Sequence, residues 1–198
     1  MSIKLTGTKE LSNFCRPYVI AEIGANHNGD MDLARQMIAA AKAAGADCVK
    51  FQSWSKRSLF TNSVYGGNQD LEEAIDKYAI SNGQLLEMKK YAGEVGIDLA
   101  STPFNMAEAD YLVDVLDSPF IKVASMDVDN LAFLEYLADK GRPIIISTGL
   151  SELHEIAKAI KTIEDAGNSN IVILHCVSSY PPEDKDLHLN NITTLMRL

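Results

Sequence analysis

The chain has 198 residues, 46% of them hydrophobic and 23% charged, a composition with enough apolar material for one sizeable core in water. Its net charge of −9 argues against a nucleic-acid-binding face, which would need a basic patch, but leaves room for a local cationic pocket that takes an anionic small molecule. The three cysteines (Cys15, Cys48 and Cys176) follow no metal-ligand spacing and read as reduced thiols, and no apolar run approaches about 18 residues, so no membrane partner and a cytoplasmic location are expected by elimination.

Residues 1–17 are polar without a helical period and suit a short strand or hairpin. Residues 18–23 are rich in β-branched and apolar side chains, the pattern of a buried strand. Glu22 lies inside that run. A carboxylate there is costly to desolvate unless paired, so it marks an open strand end or a chemical role. Gly24-Ala-Asn-His-Asn-Gly29 is turn chemistry, and Asp30 is placed to cap a helix with Leu33, Ala34, Met37, Ile38 and Ala41 on one face. Gly45 ends it. Residues 46–51 make a second strand whose C-terminal end is interrupted by Lys50 and Gln52. Residues 55–69, with Gly66-Gly67, read as a long exposed loop, and 70–79 as a short helix. Ser81 caps the next helix, which carries Leu85, Leu86, Met88, Tyr91 and Val95 and is closed by Gly96.

The third strand, 97–101, runs into Ser101-Thr102-Pro103-Phe104, followed by a helix over 106–116. The fourth strand, 119–123, is broken by Lys122 and leads to a helix over 130–140 with Gly141 behind it. The fifth, 143–146, enters Ser147-Thr148-Gly149, and Ser151 caps a helix with Leu153, Ile156, Ala157, Ile160 and Ile163 on one stripe, stopped by Gly167. The sixth, 171–174, is followed by His175, Cys176 and Tyr180-Pro181-Pro182, after which a further helix begins.

Strands alternating with helices imply right-handed crossovers and a parallel sheet. The polar residues at strand ends (Glu22, Lys50, Ser101, Lys122, Ser147 and His175) are 28, 51, 21, 25 and 28 residues apart, so one crossover holds an insertion. C-terminal strand ends are where βα-barrels and open doubly wound sheets build their sites. An eight-stranded barrel usually takes about 250 residues. The expected fold is therefore α/β of the (β/α)8 TIM-barrel type, with about six of its eight βα units in one domain over residues 1–198.

Lys50 and Lys122 are the strongest chemical signal. A lysine at the end of a buried strand is costly unless an anion meets it, so the two either converge on a phosphate or carboxylate ligand or pair with structural carboxylates such as Glu22 and Asp127. Ser101, Thr102, Ser125, Ser147 and Thr148 add hydroxyls at the same rim. His27 is an acid–base group or a loop-ordering side chain. His175 suits a hydrogen-bonded core position, and His154 and His188 suit the surface. No glycine loop has nucleotide-binding spacing.

The stretches AEIGANHNG, AGAD, VKFQ, STPF, IKVAS, PIIISTG and LHCVSSYP, in that order from about Tyr18 to Pro181, resemble the N-acetylneuraminate (sialic acid) synthase family, which includes legionaminic and pseudaminic acid synthases. The resemblance implies a barrel enzyme that condenses phosphoenolpyruvate with an N-acetylated amino sugar. The product would be a nine-carbon 2-keto-3-deoxy acid, with phosphate released. It also implies a divalent metal, manganese or magnesium, that activates the sugar aldehyde, and a homodimer at full length. On the matching positions it assigns Lys50, Thr102, Lys122, Ser125 and Ser147 to phosphoenolpyruvate and Glu22 to the reacting carbons. Gln52 would stand beside the donor, and Tyr180 would contact the sugar. Glu22, Lys50 and Lys122 are thus the expected catalytic residues.

Three departures qualify the match. Ser125-Met126-Asp127 stands where many sialic acid synthases have Ser-Gly-Glu, which keeps an acid one methylene shorter and makes Asp127 a candidate substrate contact. Ser178 stands where an asparagine is frequent. The family's two histidine metal ligands fall on strands beyond residue 198, so no metal ligand is expected within these residues, His175 included. The rival readings are a Schiff-base aldolase using Lys122 or Lys50 and a non-catalytic binding domain for phosphoenolpyruvate or a sugar acid. An open six-stranded barrel also leaves strand edges that favour self-association.

Overall fold

The computed structural model describes residues 2–7, 9–12, 14–65 and 68–198, with the side chains of Asn62 and Tyr65 outside the description. An antiparallel hairpin, β1 (Ser2–Lys4) and β2 (Glu10–Ser12), precedes six parallel strands: β3 (Ile20–Gly24), β4 (Cys48–Ser53), β5 (Asp98–Pro103), β6 (Ile121–Val123), β7 (Ile144–Ser147) and β8 (Ile171–Leu174). Ladder hydrogen bonds join β3–β4–β5 and β6–β7–β8, with β5 beside β6. Helices alternate with these strands in the TIM-barrel manner: α1 (Met31–Ala43), α2 (Lys56–Leu59), α3 (Asn62–Tyr65), α4 (Gln69–Tyr78), α5 (Asn82–Val95), α6 (Met106–Asp110), α7 (Leu131–Ala138), α8 (Leu153–Asp165) and α9 (Asn191–Leu195).

The caps follow the sequence closely. Asp30 accepts from the backbone N–H groups of Asp32 and Leu33, Ser81 shares a capping box with Gln84, and Gly45 and Gly96 take the left-handed conformation behind their helices. Three details differ. Residues 55–69 contain two one-turn helices and the start of α4 rather than continuous loop, although Gly66-Gly67 lie outside the described residues. Helix 106–116 changes at Tyr111 into a π-helical segment, Tyr111–Val115, where the Leu116 N–H reaches back to Tyr111. The wider turn still leaves Ala109, Leu112 and Leu116 buried together. Finally, Ser151 stays in the loop, and Glu152 caps α8 through its reciprocal bond with Glu155.

Strand periodicity separates the core into layers. Val49 and Phe51 of β4 and Leu99 of β5 pack outward against α1 and α5, while Ile121, Val123, Ile144 and Ile146 pack outward against α7 and α8. The alternate residues form a third cluster inside: Cys48, Ala100, Phe120 and Ile145, with Ile20, Val172 and Leu174 against it. Leu5 of the N-terminal hairpin joins this inner cluster and is 1% exposed.

Candidate active site

Two residues beyond each inner apolar side chain, on the same strand face, stands a polar one: Ile20 leads to Glu22, Cys48 to Lys50 and Gln52, Ala100 to Thr102, Phe120 to Lys122 and Ile145 to Ser147. An apolar floor thus carries a polar mouth at the C-terminal strand ends.

Lys50, 6% exposed, sits opposite Glu22 in the β3–β4 register, with its Nζ 2.7 Å from Glu22 Oε2. It also donates to Thr102 Oγ1 at 2.9 Å. Gly24 makes room for this corner. Its φ is +54°, and a Cβ there would come within 3.2 Å of Glu22 Oε1 and 3.4 Å of Gln52 Oε1. A bare backbone lets both side chains occupy the same space.

Lys122, 7% exposed, donates to Val123 O at 2.6 Å and Ser147 Oγ at 2.5 Å. Among the described residues no carboxylate lies within ion-pair distance of it. Burial and the neighbouring Lys50 cation push its pKa down to about 8, partly opposed by Cys176 and Glu22. The two lysines therefore share one electrostatic neighbourhood, and only Lys50 has an ion-pair partner in it. Of the two readings of the sequence, structural pairing holds for Lys50 with Glu22, and Lys122 has no carboxylate partner among the described residues.

The other candidates divide. Ser125 Oγ accepts from Gly149 N–H at 3.1 Å and so ties the loop after β6 to the loop after β7. Ser101, predicted at the rim, lies on the outer face, where its Oγ is 2.6 Å from Ser53 Oγ; Thr102 is the β5 hydroxyl that reaches the mouth. Thr148 spends its hydroxyl on Leu174 O. Tyr180 is 94% exposed, beyond a cis peptide bond to Pro181, and does not join the cluster. His27 is 1% exposed, accepts from Gly29 N–H at 3.0 Å and packs on Phe51, so it orders its loop, and burial holds its pKa low. His175 bonds through Nε2 to Leu187 O at 2.7 Å.

Asp127 stands apart from the lysines. Its Oδ2 is buried with no hydrogen-bond partner among the described residues, and burial, Asp129 and Glu108 push its pKa up to about 6. Glu108 was missed by the sequence reading, although Asn105-Met-Ala-Glu108 has capping-box spacing. Trp54, next to Ser53, likewise buries an unpartnered Nε1 among the described residues and sets its ring edge-on to Phe104.

Among the described residues no group of three or more His, Cys, Asp or Glu side chains converges as a metal set. The described residues therefore do not supply a three-ligand set for a divalent metal. None of the described helices is long and apolar enough to cross a membrane.

Comparison with known proteins agrees with this architecture. The chain is 35% identical to N,N'-diacetyllegionaminic acid synthase of Legionella pneumophila over 205 residues, covering 97% of the chain and 57% of that protein. It is 34% identical to human N-acetylneuraminate-9-phosphate synthase over 189 residues, covering 91% of the chain and 52% of that protein. Among solved structures, N-acetylneuraminic acid synthetase from Leptospira borgpetersenii, in complex with citrate, superposes with a TM-score of 0.89 at 30% identity, covering 98% of this chain and 66% of that one. The chain spans about half the length of the curated relatives it matches. The model of the NeuB family matches residues 37–198, and with relatives of this kind along nearly its whole length the chain belongs to that family.

Proposed function

We propose that these residues form the donor half of a phosphoenolpyruvate-condensing site, and that the full-length protein joins phosphoenolpyruvate to an N-acetylated amino sugar. The product would be a nine-carbon 2-keto-3-deoxy acid of the sialic type, with phosphate released. One observation carries this reading: two buried ammonium groups share the mouth, and among the described residues only Lys50 has a carboxylate partner. A trianionic donor supplies the missing negative charge. In this scheme Lys50, Lys122, Thr102, Ser125 and Ser147 hold the phosphate and carboxylate. Glu22, which Lys50 keeps oriented, manages a proton beside the reacting carbons. Gln52 borders the donor, and Asp127 and Tyr180 face the sugar.

A divalent metal, manganese or magnesium, would activate the sugar aldehyde in the complete enzyme, with ligands proposed outside this chain; no role given to the residues above depends on it. A cytoplasmic homodimer is proposed for the full-length protein. The test is phosphate release from phosphoenolpyruvate with manganese and a panel of N-acetylated amino sugars, run on the full-length gene product and on these 198 residues. Sugar-dependent release by the full-length protein supports the reading. Phosphoenolpyruvate binding without release by either would make this a binding domain.

The lowered pKa of Lys122 favours one other reading, a Schiff-base aldolase with Lys122 as nucleophile. Borohydride trapping of a pyruvate adduct on Lys122 would establish it. Metal-dependent turnover without an adduct would remove it.

A further inference from the structure

Asp127 carries a chemical problem that the donor site does not solve. It ends the short helical turn Ser125–Asp127, directly after β6, and its Oδ2 is sealed from solvent without a hydrogen-bond partner among the described residues. An ionised oxygen left unpaired in such a place is far more costly than the carbonyl oxygen of a neutral acid. The charged groups that act on it are both negative: Asp129, just beyond its own turn, and Glu108, on α6.

Glu108 is held firmly. Its Oε2 accepts from Phe104 N–H at 2.7 Å and its Oε1 from Asn105 Nδ2 at 3.1 Å, while Asn105 Oδ1 accepts from Glu108 N–H at 2.8 Å. A further side-chain bond links it to Ser58 on α2. Its carboxyl cannot leave the neighbourhood of Asp127 without releasing the turn that follows Thr102. Burial raises the pKa of Glu108 itself, while its bonds to Ser58, Phe104 N–H and Asn105 pull the other way and favour its charged form.

We propose that Asp127 meets the acceptor substrate as a carboxylic acid, donating a hydrogen bond to an oxygen lone pair of that molecule, and that Glu108 is a positioning residue that, together with burial and the Asp129 charge, holds it in that form. The identity of the acceptor rests on the condensation reading above; the protonation state does not. Burial and like charge already bring the group to about 6. An anionic donor bound at Lys50 and Lys122 adds negative charge and removes water, and both push it further in the same direction. A neutral acid at this position can donate to a carbonyl or hydroxyl oxygen, whereas a carboxylate could only accept, from hydroxyl, N–H or cationic groups.

The test is pH-difference infrared spectroscopy on the whole chain, reading the protonated-carboxyl band that disappears in Asp127→Asn. The band should half-titrate near pH 6 in the unsubstituted protein and at higher pH with phosphoenolpyruvate bound. Glu108→Gln, which keeps an oxygen for the Phe104 N–H, should lower the midpoint, by less than the loss of the Asp129 charge does. Asp129→Asn, at an exposed position, should lower it as well without touching the Glu108 turn. A midpoint in the ordinary range near about 4, or one that neither substitution moves, overturns the proposal. Because the band is read without turnover, a normal midpoint with intact phosphate release defeats only the acid. A raised midpoint without sugar-dependent release defeats only the reaction.

Discussion

Replacing Lys122 with methionine should strengthen the fold while disabling the site. The ammonium is buried, has no carboxylate partner among the described residues and lies close to Lys50, so its folded-state pKa falls from 10.5 to about 8. At about 1.4 kcal/mol per pH unit, that gap costs the native state about 3 kcal/mol near pH 7. Methionine removes the charge and fills a similar volume, but gives up two hydrogen bonds, to Val123 O and Ser147 Oγ, worth about 1 kcal/mol each. Burying the thioether recovers part of that loss, which leaves a net gain of about 2 kcal/mol.

The sign of the pH dependence is fixed by which state holds the proton. Between about 8 and 10.5 the unfolded chain keeps the lysine proton that the folded chain has released, so this group's penalty disappears as pH rises through that window. The stability difference between Lys122→Met and the unsubstituted protein should therefore be largest near neutrality, shrink as pH rises through this window and reverse by about pH 10.5, where only the lost hydrogen bonds remain. Urea denaturation at several pH values measures it directly. A variant less stable than its parent near neutrality, or a difference indifferent to pH, would refute the reasoning. Phosphoenolpyruvate binding, measured alongside by calorimetry, should be lost in the variant.

Other substitutions probe the rest of the site and its surroundings. Lys50→Met leaves Glu22 without its partner and should weaken phosphoenolpyruvate binding about 100-fold, read from the fluorescence of Trp54, the single tryptophan; unchanged affinity would place the donor elsewhere. Gly29→Ala would set a Cβ 2.5 Å from Lys77 O at a φ of +79° and should cost about 2 kcal/mol, opening α4 to faster proteolysis. Cleavage at the parental rate would show that α4 does not depend on that contact. The edges of β3 and β8, unpaired among the described residues, should make the isolated chain associate as its concentration rises; sedimentation as a monomer with one cooperative thermal transition would contradict this.

The alternation of strands and helices was legible because each unit repeats a simple grammar: an apolar run, a polar residue at its end, a capped amphipathic helix and a glycine. Asp30, Ser81, Gly45 and Gly96 all perform the local tasks that their residue types suggest. The two lysines were legible because charge in an apolar strand demands a reason. What the sequence blurred was which face of a strand a residue takes. Ser101 and Thr102 are adjacent and chemically alike, yet pairing with Ser53 turns one outward while Lys50 claims the other. Register between strands decides this, and it is a non-local property. Glu108 escaped for a related reason: its bonds are local caps, and its influence on Asp127 crosses from α6 to the turn after β6. The π-helical segment at Tyr111–Val115 had no signal of its own, since Ala109, Leu112 and Leu116 fit an ordinary helix equally well.

The N-terminal hairpin has a consequence for how the chain comes to be assembled. Leu5 belongs to the same inner cluster as Cys48 and Ala100 from the first three parallel strands and Phe120 and Ile145 from the fourth and fifth, with Val172 and Leu174 of the sixth against it. During synthesis the hairpin leaves the ribosome before any of these partners, but the surface that receives it does not exist until residues near 174 have followed. A segment made before its partners is among the last to be seated. Deleting it should therefore slow the closing steps of folding more than the formation of any single βα unit, because it plugs both halves of the floor at once.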